Sequence, residues 1–189
     1  MGKIVVSQFV TVDGVIEDPG GAEGFDRGGW AFKFERGPEG DAFKLDEVMA
    51  ADALLLGRVT YEGFAAAWPS RKDEARFADK FNSMPKYVLS STMEKTDWNN
   101  STIIGSDLAR ELGELKGRHG GDILVNGSAT LVGALAERGL VDEYRLMVFP
   151  VVLGAGKRLF GDLASQKPLR LTDSKPAGAC TILVYEPER

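Results

Sequence analysis

The chain has 189 residues, of which 43% are hydrophobic, so we expect one large domain over residues 1–189 rather than two small ones. Its 23 basic and 28 acidic residues give a net charge of −5 without a long basic run, which argues against nucleic acid as the main partner. Cys180 is the single cysteine and His119 the single histidine, which excludes an internal disulfide and a Cys/His zinc cluster. The chain also lacks a signal-like start and any apolar run of about 20 residues, so we expect a cytoplasmic protein that does not span a membrane.

The first forty residues predict one strand followed by a long loop. Ile4–Val12 is rich in Ile, Val, Phe and Thr, which is typical of a strand buried on both faces, and Asp13-Gly14 supplies a turn at its end. Residues 17–40 are dense in Gly, Pro and acidic residues, with aromatic residues between them. This composition predicts a long surface excursion with apolar anchors, and loops of this length are often lids.

Helical and strand patterns alternate through the middle of the chain. The predicted elements are a helix over Asp41–Asp52 with Leu45, Val48 and Met49 inward, a strand Ala53–Leu56, a helix from Tyr61 to Trp68, a charged helix Asp73–Phe81, strands Lys86–Ser90 and Thr102–Ile104, and a helix capped by Ser106 with Leu108, Leu112 and Leu115 inward.

The C-terminal third continues the alternation and closes with a hairpin. Its predicted elements are a strand Asp122–Asn126, a helix with the stripe Leu131, Val132 and Leu135 ending near Gly139, a strand Tyr144–Pro150, and two strands, Leu169–Asp173 and Thr181–Tyr185, around a Lys-Pro-Ala-Gly turn. The whole pattern predicts an α/β sandwich with a mostly parallel sheet and antiparallel C-terminal strands.

Three predicted strand ends are followed by small or hydroxyl residues, where an open α/β sheet binds its ligands. These junctions are Gly57-Arg58-Val59-Thr60, Ser90-Ser91-Thr92 and Gly127-Ser128-Ala129-Thr130. A single junction is better explained as a helix cap or turn, but the repetition of such junctions favours an anion site. The forked donor of Arg58 suits a phosphate monoester such as the 2′-phosphate of NADP, and a surface ion pair is the alternative. Neither a Rossmann glycine fingerprint nor a Walker pattern follows any predicted strand.

Four stretches carry a resemblance to a known family. They are "TVDGVI", "LLLGRVTYEGF", "YVLSS" and "ILVNGSATLVGALAERGLVDEYRLMVFPVVLGAGKRLF". Together they resemble the dihydrofolate reductase superfamily, and within it the stand-alone relatives of the C-terminal reductase domain of the riboflavin bifunctional deaminase-reductase. The resemblance covers nearly all of the chain and implies a dihydrofolate-reductase-like three-layer sandwich.

The resemblance also implies which residues bind NADPH. Arg58 and Thr60, with the amide of Val59 after Gly57, would meet its phosphates. The hydroxyl residues Ser90, Ser91 and Thr92 would lie beside the adenosine 2′-phosphate. The pyrophosphate would rest on the helix N-terminus formed by Gly127, Ser128, Ala129 and Thr130.

Hydride transfer needs little acid–base chemistry from the protein, so one orienting or proton-donating acid would suffice. By the resemblance, Asp41 corresponds to an acid that contacts the pterin, although an aspartate at a helix start also acts as an N-cap or macrodipole partner. Asp13 is the second candidate, with a turn role beside Gly14 as its alternative.

Three further residues are candidates for the substrate side. Trp30 and Phe34 either cover the substrate or pin the loop to the core. Gly154 either borders the pocket or belongs to a wide glycine-rich turn. No metal site is predicted.

The leading hypothesis is an NADPH-dependent reductase of a pterin- or pyrimidine-like molecule, most like 5-amino-6-(5-phosphoribosylamino)uracil reductase of riboflavin biosynthesis. The His/Cys signature of a deaminase is absent, and no basic cluster beyond Arg58 is visible for a ribose phosphate. Two alternatives are a nucleotide-binding or stress-related protein without efficient turnover, and an assembly module whose C-terminal hairpin forms a homodimer edge.

Overall fold

The computed structural model describes residues 1–72, 76–105 and 107–188. In this part of the chain the strands are β1 (Lys3–Thr11), β2 (Ala53–Gly57), β3 (Lys86–Leu89), β4 (Ser101–Ile104), β5 (Asp122–Val125), β6 (Glu143–Phe149), β7 (Leu169–Ala177) and β8 (Cys180–Pro187). The helices are α1 (Gly37–Ala50), α2 (Arg58–Ala67), α3 (Phe77–Ser83), α4 (Leu108–Arg118) and α5 (Ala129–Glu137), with a 3₁₀ helix at Trp30–Lys33.

The described strands form one eight-stranded sheet in the order β4-β3-β2-β5-β1-β6-β8-β7. Strands from β4 to β6 pair in parallel, whereas β8 runs antiparallel to both β6 and β7. This arrangement confirms the predicted α/β fold with a mostly parallel sheet and antiparallel C-terminal strands. None of the helices in the described ranges has the length and apolar character needed to cross a membrane.

Helices cover the sheet on both faces. On one face, α1, α2 and α3 pack against inward residues of the central strands, among them Val5, Leu54 and Leu124. On the other face, α4 and α5 pack against residues such as Val6 and Leu55. The predicted inward stripes of α4 and α5 are confirmed, since their leucines are buried.

The long loop after β1 is held to the sheet by Trp30, whose side chain is 1% exposed. Its indole Nε1 donates a hydrogen bond to the Glu17 carbonyl at 2.9 Å, and its ring lies edge-on to Phe149. Phe32, by contrast, is 81% exposed, so the loop is pinned by one aromatic residue and presents another to solvent.

Helix α1 differs from its prediction in both its start and its buried face. It begins at Gly37 rather than Asp41, because Pro38 is tolerated in a first helical turn, where the missing N–H costs nothing. Of the residues predicted inward, Val48 is buried and Leu45 is half-buried as expected, but Met49 is 37% exposed and Glu47 is buried instead. The buried face of the helix is therefore shifted from Met49 toward Glu47, with Val48 common to both faces.

The C-terminal hairpin turns later than predicted. Lys175, Pro176 and Ala177 belong to β7, and the turn is formed by Gly178 and Ala179. Pro176 is accepted because β7 is the edge strand, where a missing N–H breaks no ladder bond.

Two predictions fall on residues outside the described ranges. The cap at Ser106 is one, and Asp107 is the N-cap of α4, accepting from the Arg110 amide. The start of the charged helix at Asp73 is the other, and the described helix α3 begins at Phe77.

Candidate functional site

The connections from neighbouring strands β2 and β5 leave the sheet on opposite faces. Helix α2 follows β2 and contributes Tyr61 to one core, whereas α5 follows β5 and contributes Leu131 to the other. The two strands are paired through Leu54 and Leu124. A place where the connections of two neighbouring strands leave on opposite faces is a topological switch point of the sheet. A crevice opens there, outside the carboxyl ends of the strands, and open α/β sheets bind their ligands in it.

Two of the three predicted junctions, those at Gly57 and Gly127, meet in this crevice at close range. A Cβ added to Gly57 would lie 2.8 Å from the Ser128 Oγ, and one added to Gly127 would lie 3.0 Å from the Thr60 Oγ1. Gly127 also has a φ of +102°, which disfavours any other residue. Glycine at both positions therefore permits the first turns of α2 and α5 to approach each other.

Backbone amides at the two helix N-termini give this crevice its electrostatic character. Gly57 caps α2 without a side-chain hydrogen bond, so the amides of Val59 and Thr60 have no intrahelical acceptor. At α5, the Ser128 Oγ accepts from the Leu131 amide at 3.4 Å. Both helix ends carry a partial positive charge that suits an anion.

A cavity of about 210 Å³ occupies the crevice. Residues around it come from both junctions, from β1 and from the long loop, and include Gln8, Ile16, Glu17, Glu23, Val59, Thr60, Asn126, Gly127, Ser128, Ala129, Thr130 and Lys157. Lys157 lies 3.4 Å from the Glu17 carboxylate. Burial, and then the nearby charge of Asp18, raise the pKa of Glu23.

A second cavity, of about 330 Å³, lies beside the end of β3. Its lining is Arg58, Leu89, Ser90, Ser91, Thr92 and Leu108. The Ser90 Oγ accepts hydrogen bonds from the amides of Thr92 at 3.2 Å and Met93 at 3.0 Å. The Arg58 guanidinium donates to both carboxylate oxygens of Glu62, at 2.9 and 3.1 Å, and its side chain is 47% exposed. The surface ion pair foreseen for Arg58 is therefore present.

The strand order places these groups in one row. Strands β3, β2, β5 and β1 are successive neighbours, so Ser90, Arg58, Gly127 and Gln8 follow one another along the same edge of the sheet. Neighbouring strands are about 4.8 Å apart, so the row spans roughly 15 Å. An elongated ligand with several phosphates fits such a row.

Asp13 occupies a turn, the role given as the alternative to a catalytic one. Its carboxylate accepts from the Thr11 hydroxyl at 2.6 Å and from the amides of Gly154 at 2.8 Å and Leu153 at 3.2 Å. The Thr11 hydrogen bond is the main cause that lowers the pKa of Asp13 to about 2. These hydrogen bonds make Asp13 part of the turn, and Gly154 belongs to the same turn.

Asp41 lies in the first part of α1 and not at its cap, so the N-cap interpretation is wrong. Its carboxylate accepts from the Arg36 Nε at 2.5 Å and is 63% exposed. It borders a third cavity, of about 500 Å³, with Phe9 and Phe34. The Trp30 side chain is buried and anchors the loop to the sheet, whereas the Phe34 side chain lines the third cavity.

Sequence reasoning missed a buried polar cluster on the α1 side of β1. The Ser7 Oγ donates to the Glu47 Oε1 at 2.7 Å, and the Lys44 ammonium donates to the Ser7 Oγ at 2.7 Å and pairs with Glu47. The second carboxylate oxygen of Glu47 has no hydrogen-bond partner in the described part of the chain. The spacing of Lys44 and Glu47 on one helix face is the only sequence signal for this cluster.

Comparison with known proteins decides the family. The family described as the RibD C-terminal domain matches residues 2–183. The chain belongs to the RibD C-terminal domain family. One relative is the uncharacterized protein YyaP of Bacillus subtilis. It is 31% identical to this chain over 176 residues, which cover 92% of this chain and 88% of YyaP. The predicted membership of this family is thereby confirmed.

Solved structures support the same fold for this RibD C-terminal domain. A provisionally named riboflavin biosynthesis protein of Shewanella superposes with a TM-score of 0.78 at 22% identity, covering 99% of both chains. Dihydrofolate reductase of Enterococcus faecalis, solved with NADP(H), gives a TM-score of 0.60 at 15% identity over 100% of this chain and 98% of its own. These likenesses establish a dihydrofolate-reductase-like fold.

Proposed function

We propose that this protein is an NADPH-dependent reductase that transfers a hydride to a small pterin- or pyrimidine-like molecule, most like 5-amino-6-(5-phosphoribosylamino)uracil reductase. One observation carries the proposal. The N-termini of α2 and α5 converge in a crevice between β2 and β5, with Arg58 at its side. Converging amides and one forked cation are what a phosphorylated dinucleotide requires.

The residues present fit NADPH along the row of strand ends. Arg58, Ser90, Ser91 and Thr92 would hold the 2′-phosphate in the cavity beside β3. The first turns of α2 and α5 would hold the remaining phosphates, through Val59, Thr60 and the Gly127–Thr130 segment. Gln8 and Asn126 at the β1 end would then face the nicotinamide.

NADPH supplies the hydride when it is bound. The chain contributes binding, orientation and exclusion of water. Beyond the pair Val6 and Val125, β1 continues without β5, so the crevice reaches β1. Because hydride transfer requires contact between the two rings, the substrate ring would lie against the nicotinamide in the same cavity, where Ile16, Glu17 and Phe64 line it.

Titration with NADPH and NADH, followed by fluorescence, tests the cofactor assignment. We expect NADPH to bind at micromolar concentrations and more tightly than NADH. Because a hydrogen bond to a charged group contributes about 1.5–3 kcal/mol, Arg58→Ala should weaken NADPH binding by roughly 10- to 100-fold and leave NADH binding nearly unchanged.

Arg118→Ala is the matched control, because Arg118 pairs with Glu114 at the same i,i+4 spacing on α4 as Arg58 does with Glu62 on α2. It should not change the affinity for either cofactor. If neither cofactor binds, the reductase proposal fails. If Arg58→Ala keeps the preference for NADPH, the assignment of Arg58 is wrong.

A nucleotide-binding protein without efficient turnover is the alternative that the site keeps open, because both candidate acids are engaged elsewhere, Asp13 by its turn and Asp41 by Arg36. NADPH binding without NADPH oxidation across a panel of pterins and pyrimidines would favour it. The cytoplasm is the location that we propose, and a homodimer through the exposed edge strand β7 stays a prediction.

A further inference from the structure

A cavity of about 320 Å³ lies at the amino end of β6. Tyr144, the second residue of β6, and Leu169, the first residue of β7, both line it. Because β6 runs parallel to β1, this end of the sheet is opposite to the carboxyl ends of the strands, where the crevice opens. None of the described residues around this cavity lines the crevice or the cavities beside β3 and α1. It is therefore a separate space from the proposed cofactor site.

Most of the cavity wall is apolar. The ring of Phe160 lies edge-on to Tyr144, with ring centroids 5.5 Å apart. Phe160 is 36% exposed, so a molecule can reach this wall from solvent. The remaining apolar surface comes from Ala136, Leu163 and Leu169. Small-molecule sites measure about 300–1,000 Å³ and combine apolar walls with a few placed polar groups, so this cavity can hold a small apolar body.

The Tyr144 hydroxyl is the first polar group of the cavity. The residue is 3% exposed, and within the described residues its hydroxyl has no hydrogen-bond partner. Burial raises the pKa of Tyr144 to about 12, so the hydroxyl keeps its proton and can donate it. A buried hydroxyl without an acceptor costs free energy, which an acceptor in the cavity would recover.

Lys167 supplies the second polar group. Its ammonium donates to the Glu137 carbonyl at 3.0 Å, and its other two protons have no acceptor in the described part of the chain. A helix C-terminus carries about half a negative charge, so the end of α5 orients this ammonium without neutralising it. The Glu137 carboxylate accepts from the Ala164 amide instead, and no aspartate or glutamate is among the described residues that line the cavity. The cavity thus holds a cation that lacks a carboxylate partner.

We propose that this cavity is a second ligand site, which binds a small organic acid with one carboxylate on an apolar or aromatic body. The Tyr144 hydroxyl and the Lys167 ammonium would each donate to the carboxylate, and the body would lie against Phe160 and Leu163. One ligand would then supply the acceptor that the hydroxyl lacks and the counter-charge that the ammonium lacks. The proposal is independent of the proposed function, because the two sites share none of the described lining residues.

Matched pairs of acid and amide test this site on the whole chain. Isothermal titration calorimetry would compare 3-phenylpropionate with 3-phenylpropionamide, and hexanoate with hexanamide. Within each pair the body is the same and only the negative charge is lost. We expect at least one acid to bind with a Kd of about 1 mM or lower, and its amide to bind at least about tenfold more weakly.

Two variants assign the binding to the two polar side chains. Tyr144→Phe removes only the hydroxyl, and Lys167→Met removes the charge and keeps an apolar stem, so each should weaken binding of the acid by about tenfold. Tyr185→Phe is the control for the hydroxyl, because Tyr185 pairs with Tyr144 across the sheet and does not line the cavity. Lys95→Met is the control for the charge, because Lys95 is 83% exposed and does not line the cavity. Both controls should keep the affinity of the wild type.

Repeating the acid titration at saturating NADPH separates this site from the crevice, and the affinity for the acid should not change. An affinity that both variants lower and both controls keep supports the inference. Absence of binding by both acids, equal binding of acid and amide, unchanged acid affinity in either variant, a loss in either control, or competition by NADPH overturns it. Absence of NADPH binding with intact acid binding overturns only the reductase proposal.

Discussion

At the scale of single residues, Asp13 shows how a hydrogen-bonded carboxylate couples a turn to pH. Its oxygens accept from one hydroxyl and two amides, and these interactions favour the ionised form. They join the end of β1 to the segment after β6, which also meets β1's turn through the bridge between Val15 and Arg158. The charge of Asp13 therefore contributes to how the wall of the site is held.

Asp13→Asn should reduce the loss of unfolding free energy that the wild-type protein shows when the pH is lowered. The folded pKa of about 2 lies below the ordinary aspartate pKa of 3.8, so the stabilisation is present above pH 4 and is lost as the pH falls from about 4 to 2. Urea unfolding of both proteins across this range measures it. The stability gap between wild type and variant should be widest near neutral pH and should narrow on acidification, whereas a constant gap contradicts the assigned pKa.

At the scale of elements, the site depends on how closely α2 and α5 approach. Their first turns meet where two glycines allow backbone to pass close to Ser128 and Thr60. The helices pack on opposite faces, so no packing between their bodies holds this spacing. The strand pair β2 and β5 holds it instead.

Gly57→Ala should separate the two helix ends and weaken NADPH binding. The new methyl would lie 2.8 Å from the Ser128 Oγ, and relieving such overpacking costs about 1–3 kcal/mol, so we expect a loss of roughly tenfold in affinity. In Gly57→Ala/Ser128→Ala the nearest remaining atoms are 3.5 Å away, so part of the affinity should return.

Gly63→Ala is the control for this prediction, because it adds the same methyl to α2 where nothing lies within 4 Å. Fluorescence titration of each variant with NADPH gives the affinities, and Ser128→Ala alone reports the effect of losing the cap. Equal affinities for wild type and Gly57→Ala would show that the spacing of the helix ends does not matter for the cofactor.

At the scale of the whole molecule, the row of strand ends joins the two cores. It runs over β3, β2, β5 and β1. Helices pack against these strands on both faces of the sheet. A ligand bound along it contacts segments distant in sequence, from β1 to α5. Its binding energy should therefore add to global stability rather than to one local element.

NADPH should raise the melting temperature measured by thermal unfolding. At 100 times its Kd, a ligand adds about 2.7 kcal/mol to the free energy of unfolding. A chain of this size shifts by about 2–4 °C per kcal/mol, which gives an increase of roughly 5–10 °C. NADH at the same concentration should give a smaller shift, and Arg58→Ala should reduce the NADPH shift. An unchanged melting temperature at saturating NADPH would contradict binding along this row.

Much of the fold could be predicted because its signals are local. The strands β1, β2 and β5 are apolar runs ended by glycine or turn residues, and their alternation with amphipathic helices specifies a parallel sheet. The junctions at Gly57, Ser90 and Gly127 were found for the same reason, since small residues directly after a buried strand are visible in any window. Their roles toward NADPH stay predictions.

The sequence by itself determined the order of the elements, the faces of α4 and α5, and the three junctions, because these depend on residues adjacent along the chain. Only the tertiary structure decided which face α1 buries, and so brought Lys44 and Glu47 to Ser7 and set Arg36 over Phe9. Helix α1 carries charged and apolar residues at neighbouring positions. Packing of α1 against β1 selects which of its two possible faces is buried. The contacts of Lys44 and Glu47 with Ser7 depend on that choice, since rotating the helix by one residue would turn these side chains away from β1.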